Sequence, residues 1–262
     1  MQTGQRKIII VTTGEPIAAM IERRGSFARI IREAIGGEWK GEYGDFDARL
    51  GDFPDPRSAA AFIITGSPAN VPTREPWMLQ TEAWLREVVS IGTPTLGICF
   101  GHQILAQALG GEVTRNPRGR EIGTIRVERR MDDPIFEGVP ASFMANATHI
   151  DTVGRLPPRA VSMASSSLED HQAIRFSPVC YSVQYHPELD RDIMLGYIDA
   201  RREILAGEGF DVEALAASVT EADFSRRTLH NFVRHFVRDR AHDAPPSSRR
   251  TRRDSAWPAT PA

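Results

Sequence analysis

Cys99 sits within Thr93-Pro-Thr-Leu-Gly-Ile-Cys99-Phe-Gly-His-Gln-Ile-Leu-Ala-Gln-Ala-Leu-Gly-Gly111, where an apolar run gives way to a helical pattern. Gly97 and Gly101 flank it as G-x-C-x-G, the thiol counterpart of a nucleophile elbow, in which small neighbours permit unusual backbone angles and a close approach of adjacent chain. The helix expected from about residue 101 to 110 aims its free N–H groups and the positive end of its dipole at the sulfur. Both favour thiolate over thiol.

A second cluster supplies what such a thiolate needs. Tyr181-Ser-Val-Gln-Tyr-His186-Pro-Glu188 reads as a β-rich strand ending in a histidine, with a carboxylate two residues on. Alternation along an extended chain puts His186 and Glu188 on one side. In this reading His186 takes the proton of Cys99 and later returns one to a leaving group, while Glu188 holds the useful tautomer and supports its charge. The bland alternative for a lone cysteine after an apolar strand is a buried small hydrophobe. That is the expectation for Cys180, which has no such partners, and a structural role is the expectation for His102. His149 and Asp151 either order a loop or touch a substrate.

The motifs LGICFGHQ and VQYHPE, about 85 residues apart and in this order, resemble those of the class I glutamine amidotransferases, the amidotransferase domain of GMP synthases among them. Thr65-Gly66-Ser67-Pro68, after the apolar Ala-Ala-Phe-Ile-Ile, resembles the family's Gly-Pro oxyanion loop, and His149-Ile-Asp151-Thr-Val153 its His-x-Asp-x-Val segment. The resemblance implies transfer of a γ-glutamyl group: thiolate attacks the side-chain amide of glutamine, ammonia leaves, and water cleaves the thioester. It further implies backbone oxyanion donors near Gly66 and at Phe100, ligand positioning by Gln103, and a substrate contact at Thr148. Ser67 stands where many relatives carry glycine, so it is expected to adopt a conformation usually given to glycine.

Three functional readings follow. One is a glutamine-hydrolysing enzyme, free-standing or supplying ammonia to a separate synthase subunit. The second is a γ-glutamyl peptidase acting on glutamyl conjugates, because the same acyl-enzyme forms whatever amine leaves. The third is a non-catalytic relative that binds a metabolite or a protein. A cysteine-using α/β-hydrolase is a rival for the elbow alone, but there the acid precedes the histidine by a wide gap. No G-x-x-x-x-G-K-[ST] loop or dinucleotide fingerprint marks an ATP-using module, so any ammonia acceptor is expected on another polypeptide. No metal is expected, because the histidines and acids lack ligand spacing. Acyl transfer through a thiolate requires no organic cofactor.

The elements that must position these groups alternate. Lys7 to Thr12 and Ala59 to Thr65 read as strands, and Thr93 to Ile98 as the buried strand before the elbow. Helices are expected over Pro16 to Ile35, over Trp77 to Ser90 with Leu79, Ala83, Leu85 and Val88 inward, and over Asp190 to Ala206. A last one, opened by a Thr220-Glu-Ala-Asp223 capping box, runs to about Arg240 with Phe224, Leu229, Phe232, Val233 and Phe236 inward. Residues 38 to 57 read as irregular, and Glu121 to Arg129 opens a small antiparallel layer continuing to about residue 183. The expected fold is α/β and flavodoxin-like, the class I glutamine amidotransferase fold: a mostly parallel central sheet, helices on both faces, and a small antiparallel layer.

Composition agrees, with 41% hydrophobic and 25% charged residues and a net charge of -2, ordinary globular usage that argues against nucleic-acid or membrane partners. Two cysteines give no disulfide framework and suit a reducing, cytoplasmic setting. One domain is expected over 1–240, followed by a disordered basic tail over 241–262 that carries Arg-Arg-Thr-Arg-Arg.

Overall fold

Strands with apolar side chains on both faces force a sheet that is covered on both faces. The computed structural model describes residues 6–238; the tail expected over 241–262 lies outside them. β1 (Lys7–Thr12) leads into α1 (Ala18–Arg24) and α2 (Phe27–Ile35), then β2 (Tyr43–Asp47), β3 (Ala59–Ile64), α3 (Pro76–Ile91), β4 (Thr95–Ile98) and α4 (Phe100–Ala108). β5 (Glu112–Arg115), β6 (Glu121–Arg129), β7 (Ser142–His149), β8 (Asp151–Arg155), β9 (Val161–Ser165), β10 (Ala173–Ser177) and β11 (Cys180–Val183) follow. α5 (Arg191–Ala200), α6 (Arg202–Gly207), α7 (Val212–Ala217), α8 (Asp223–Phe232) and a π-helical turn, Val233–Arg238, complete the described chain.

A 9-stranded sheet runs β2-β1-β3-β4-β11-β10-β9-β6-β7. From β2 to β11 the neighbours are parallel, and from β11 to β7 they are antiparallel. Period-2 alternation divides the core. Ile8, Ile10, Ala61, Ile63, Leu96 and Ile98 face α2 and α8, whereas Val11, Phe62 and Ile64 face α3 and α4. The antiparallel strands thus extend the central sheet, and the small separate antiparallel sheet is β5–β8. No helix among the described residues is long and apolar enough to cross a membrane.

Several sequence expectations change for local reasons. The helix expected over Pro16 to Ile35 breaks at Gly25 (φ 83°), and Ser26 caps α2 by accepting from the Arg29 N–H. The irregular stretch 38 to 57 contains β2, an edge strand whose half-exposed residues need apolar character on one side only. In α3 the buried face is Met78, Thr81, Glu82, Trp84, Leu85 and Val88, so Ala83 and Leu79 (45% exposed) point outward. Trp84 sets that phase: it stacks on Phe53, meets Phe62 edge-on, and donates its indole N–H to Pro54 O at 2.9 Å. The helix after residue 190 is interrupted at Arg201. The last helix starts from Ala222 without a side-chain cap, because Thr220 is drawn to β6, where its N–H meets Thr124 Oγ1 at 3.0 Å. Phe224 is accordingly exposed.

The carboxyl ends of β1 and β3 are tied by two buried threonines. The Thr13 N–H donates to Thr65 Oγ1 at 3.2 Å, and the Thr13 hydroxyl lies 3.1 Å from the carbonyls of Thr65 and Gly66. Thr65→Val keeps the shape but leaves that buried N–H without an acceptor, a loss of about 1–3 kcal/mol. Denaturant melts are expected to show a lower midpoint with an unchanged slope.

Candidate active site

The turn from β4 into α4 is built by steric exclusion. Cys99 has φ 51° and ψ -100°, a region that residues with side chains rarely occupy. A Cβ on Gly97 would lie 2.4 Å from Gly101 O, so only glycine lets the helix start this close to the strand. The Cys99 N–H donates to Val183 O of β11 at 2.9 Å, and the Gly101 N–H donates to Thr65 O at 3.1 Å. The elbow is therefore fastened to strands on both sides, with the sulfur over the first turn of α4. The Phe100 amide belongs to that first turn, where N–H groups have no intrahelical acceptor.

His186 reaches the sulfur from β11, although not by strand alternation. β11 ends at Val183, and His186-Pro187-Glu188-Leu189 forms a turn in which the Leu189 N–H donates to His186 O at 3.3 Å, with proline at its favoured second position. The turn brings Glu188 Oε1 within 2.7 Å of His186 Nδ1, and both side chains are buried. Asn146 of β7 holds this turn. Its carbonyl accepts the His186 N–H at 2.8 Å, its Nδ2 donates to Leu189 O at 3.0 Å, and its Oδ1 accepts from Thr124 at 2.8 Å. In the sequence Asn146 is one polar residue of β7 among Ser142, Thr148 and His149, and nothing there marks this role.

Burial alone would raise the Cys99 thiol, but the charge of His186 and its hydrogen bond to the sulfur outweigh that, so the thiol falls below its usual value. Burial opposes protonation of His186, yet Glu188 and Cys99 overcome it and push the imidazole up to about 10. Both shifts favour the thiolate–imidazolium form over the neutral pair. Chemically the arrangement offers a nucleophile, a proton donor and a group that fixes the donor's tautomer.

The chain matches the family Glutamine amidotransferase class-I over residues 52–192, more than half of its 262 residues. It belongs to the class I glutamine amidotransferases. It is 34% identical over 233 residues to a glutamine-hydrolysing GMP synthase of Thermomicrobium roseum, covering 89% of this chain and 40% of that enzyme's length. It is 28% identical over 226 residues to gamma-glutamyl peptidase 4 of Arabidopsis thaliana, covering 82% of this chain and 88% of the relative. The crystal structure of a glutamine amidotransferase from Thermotoga maritima shows the same fold, with a TM-score of 0.65 and 22% identity over 90% of this chain and 99% of that one.

In this amidotransferase, Gly66 lies against the pair: a Cβ there would come 3.0 Å from His186 Cε1 and 3.8 Å from the Cys99 Cβ. Ser67 does not take a glycine-like conformation, since its φ is not positive. Its hydroxyl instead donates to Thr13 O at 2.7 Å and accepts from the Ala69 N–H at 3.1 Å, which gives the loop its shape by hydrogen bonding. The Thr148 carbonyl lies 4.0 Å from the sulfur. Glu15, Ser67, Cys99, Thr148, His186 and Arg201 are among the residues around a cleft of about 350 Å³, its open mouth included.

Other expected site residues are not among those lining this cleft. The Gln103 Nε2 donates to Asp151 O (3.1 Å) and Gln184 Oε1 (3.0 Å). His149 is held between Glu121 Oε2 at 2.9 Å and Asp151 O at 3.0 Å. Burial opposes its protonation, but Glu121 raises it overall. His102 pairs with Ser182 at 2.8 Å and is kept neutral by burial. Cys180 is buried in the core with its thiol pushed up. Among the described residues no group of three or more His, Cys, Asp or Glu side chains is gathered as metal ligands would be.

Gly97→Ala forces strand and helix apart at the elbow. The expected loss is about 1–3 kcal/mol of stability, together with slower alkylation of Cys99 by iodoacetamide at pH 7, followed by mass spectrometry of the modified peptide.

Proposed function

We propose that this amidotransferase hydrolyses a γ-glutamyl amide through a thioester on Cys99. The carrying observation is the buried 2.7 Å contact of His186 Nδ1 with Glu188, beside a thiol that His186 itself lowers. The thiolate adds to the γ-carbonyl carbon, the C–N bond breaks, and the proton held by His186 goes to the departing nitrogen. Water then adds to the thioester while His186 takes its proton, and the C–S bond breaks to release glutamate and restore the pair. The amides of Gly66 and Phe100 are the proposed oxyanion donors; each such donor is worth about 2.7–4 kcal/mol in comparable sites.

Glutamine is the first substrate to test, with the ammonia passing to a separate synthase subunit, as the likeness to a glutamine-hydrolysing GMP synthase supports. A γ-glutamyl peptidase is the second reading, favoured by the match covering 88% of an Arabidopsis gamma-glutamyl peptidase. Comparing glutamate release from glutamine and from γ-glutamyl dipeptides separates the two. Cys99→Ala is expected to lower kcat by roughly 10⁴-fold or more with either substrate. Wild-type turnover in that variant refutes the mechanism.

The pH profile carries a second test. Activity needs Cys99 ionised and His186 protonated, so kcat/KM rises on the acid side below the usual thiol range and falls as pH passes about 10, where His186 gives up its proton. Because Glu188 raises His186, Glu188→Gln is expected to move the alkaline limb to lower pH. A limb that stays in place overturns the role given to Glu188.

A further inference from the structure

Two opposite charges on the cleft wall have no task in the steps above. Arg201 stands at the break between α5 and α6 (φ -111°, ψ 12°), with its guanidinium 4.8 Å over the Tyr197 ring. Its Nη1 is buried and has no hydrogen-bond partner among the described residues. The groups that act on it electrostatically are Tyr197, Arg120 and Cys99, none of them a carboxylate. Arg120 is itself committed to Glu208, at 2.7 and 2.9 Å.

Glu15 follows the carboxyl end of β1, and its Oε2 is likewise buried without a partner. The cation that acts on it, Arg49, is already held by both oxygens of Asp47, at 2.9 and 2.7 Å. A half-buried charge left unpaired costs stability, and a fold retains one where a ligand completes it. Here two of opposite sign line the same cleft as Cys99. A single anion or cation would satisfy one and repel the other, whereas an α-amino acid zwitterion satisfies both.

We propose that Arg201 binds the α-carboxylate and Glu15 the α-ammonium of the glutamyl group, so that the cleft selects substrates by a free amino-acid head. The inference rests on the γ-glutamyl reading for what the head is attached to. A guanidinium matches a carboxylate in bidentate geometry. Contacts this far from the reacting amide are made equally in ground and transition states, so their loss appears in KM more than in kcat.

The test uses L-γ-glutamyl-p-nitroanilide, its α-carboxamide and its N-acetyl derivative with the full chain. Wild-type protein is expected to show at least a tenfold lower kcat/KM with either blocked compound. Arg201→Gln should raise KM for the free compound at least tenfold and lose discrimination against the carboxamide while keeping that against the N-acetyl compound. Arg201→Lys should restore part of the loss. Glu15→Gln should show the converse pattern. Calorimetric titration of L-glutamine into Cys99→Ala, with and without Arg201→Gln, reads the same site without turnover.

Turnover with no selectivity at either end overturns this inference and leaves the hydrolase reading standing. Arg201-dependent binding of glutamine to Cys99→Ala without turnover by the wild type does the reverse. Equal losses with all compounds, accompanied by a lower melting temperature, mean that Arg201 is only structural. Absence of both binding and turnover removes both proposals.

Discussion

The backbone of Cys99 is held at φ 51°, ψ -100°, a conformation that costs about 1–3 kcal/mol and persists only where its surroundings over-determine it. Those surroundings are the middle of the sheet. The Cys99 N–H is fixed by β11, its carbonyl accepts the Gln103 N–H at 3.1 Å, and Gly101 is fixed to the end of β3. Any shift of β3, β4, β11 or α4 relative to the others loosens the sulfur. The same packing explains the buried threonine tie between β1 and β3, which sets the height of Gly66 beside the thiol. Stability of the parallel half of the sheet and aim of the sulfur are therefore one constraint.

Electrostatics follow from this placement. A buried thiolate beside a carboxylate is unfavourable, and Glu188 indeed acts to raise the Cys99 thiol. His186 between them converts a repulsive pair into an alternating chain of minus, plus, minus. The helix dipole of α4 adds positive potential at the sulfur end. The antiparallel strands contribute here as well, since Asn146 of β7 holds the turn that orients His186, and Thr124 of β6 holds Asn146. The strands beyond β11 thus serve as the wall against which the His186–Glu188 turn is braced.

How much of this was legible in the sequence depended on how local the cause is. Cys99 with its glycines and His186-Pro-Glu188 are short segments whose chemistry and geometry coincide, and the apolar strands announce themselves by composition. β2 did not, because an edge strand such as Tyr43-Gly-Asp-Phe-Asp buries too little to look unlike a loop. The phase of α3 is not legible locally, because contacts of Trp84 with Phe53, Phe62 and Pro54, distant in sequence, decide the face and turn Leu79 outward. Gln103 is expected near substrate by its position in a motif, whereas the partners of its Nε2, Gln184 and Asp151, lie far off in the sequence and no motif announces them. Arg201 and Glu15 carried no signal at all, for in a chain whose positive charge is nearly all arginine an unpaired guanidinium is recognised only by what surrounds it.

The division of labour around the cleft bears on why one family joins amidotransferases to γ-glutamyl peptidases. The acyl half of the reaction is the same whether ammonia or an amino acid departs, and the proposed head-group contacts at Arg201 and Glu15 belong wholly to that half. Binding energy gained there is common to both substrates and cannot tell them apart, since discrimination is a difference of affinities. The distinction must therefore arise on the side of the departing nitrogen. In the proposed reaction, departing ammonia needs only a proton and a path out. A peptide's amine needs room for its remaining residues, so enlarging or closing that side would change the substrate without touching Cys99, His186, Glu188 or the head-group charges. On this logic the thiol site is the fixed part of the design, and substrate preference is set on the side of the departing nitrogen.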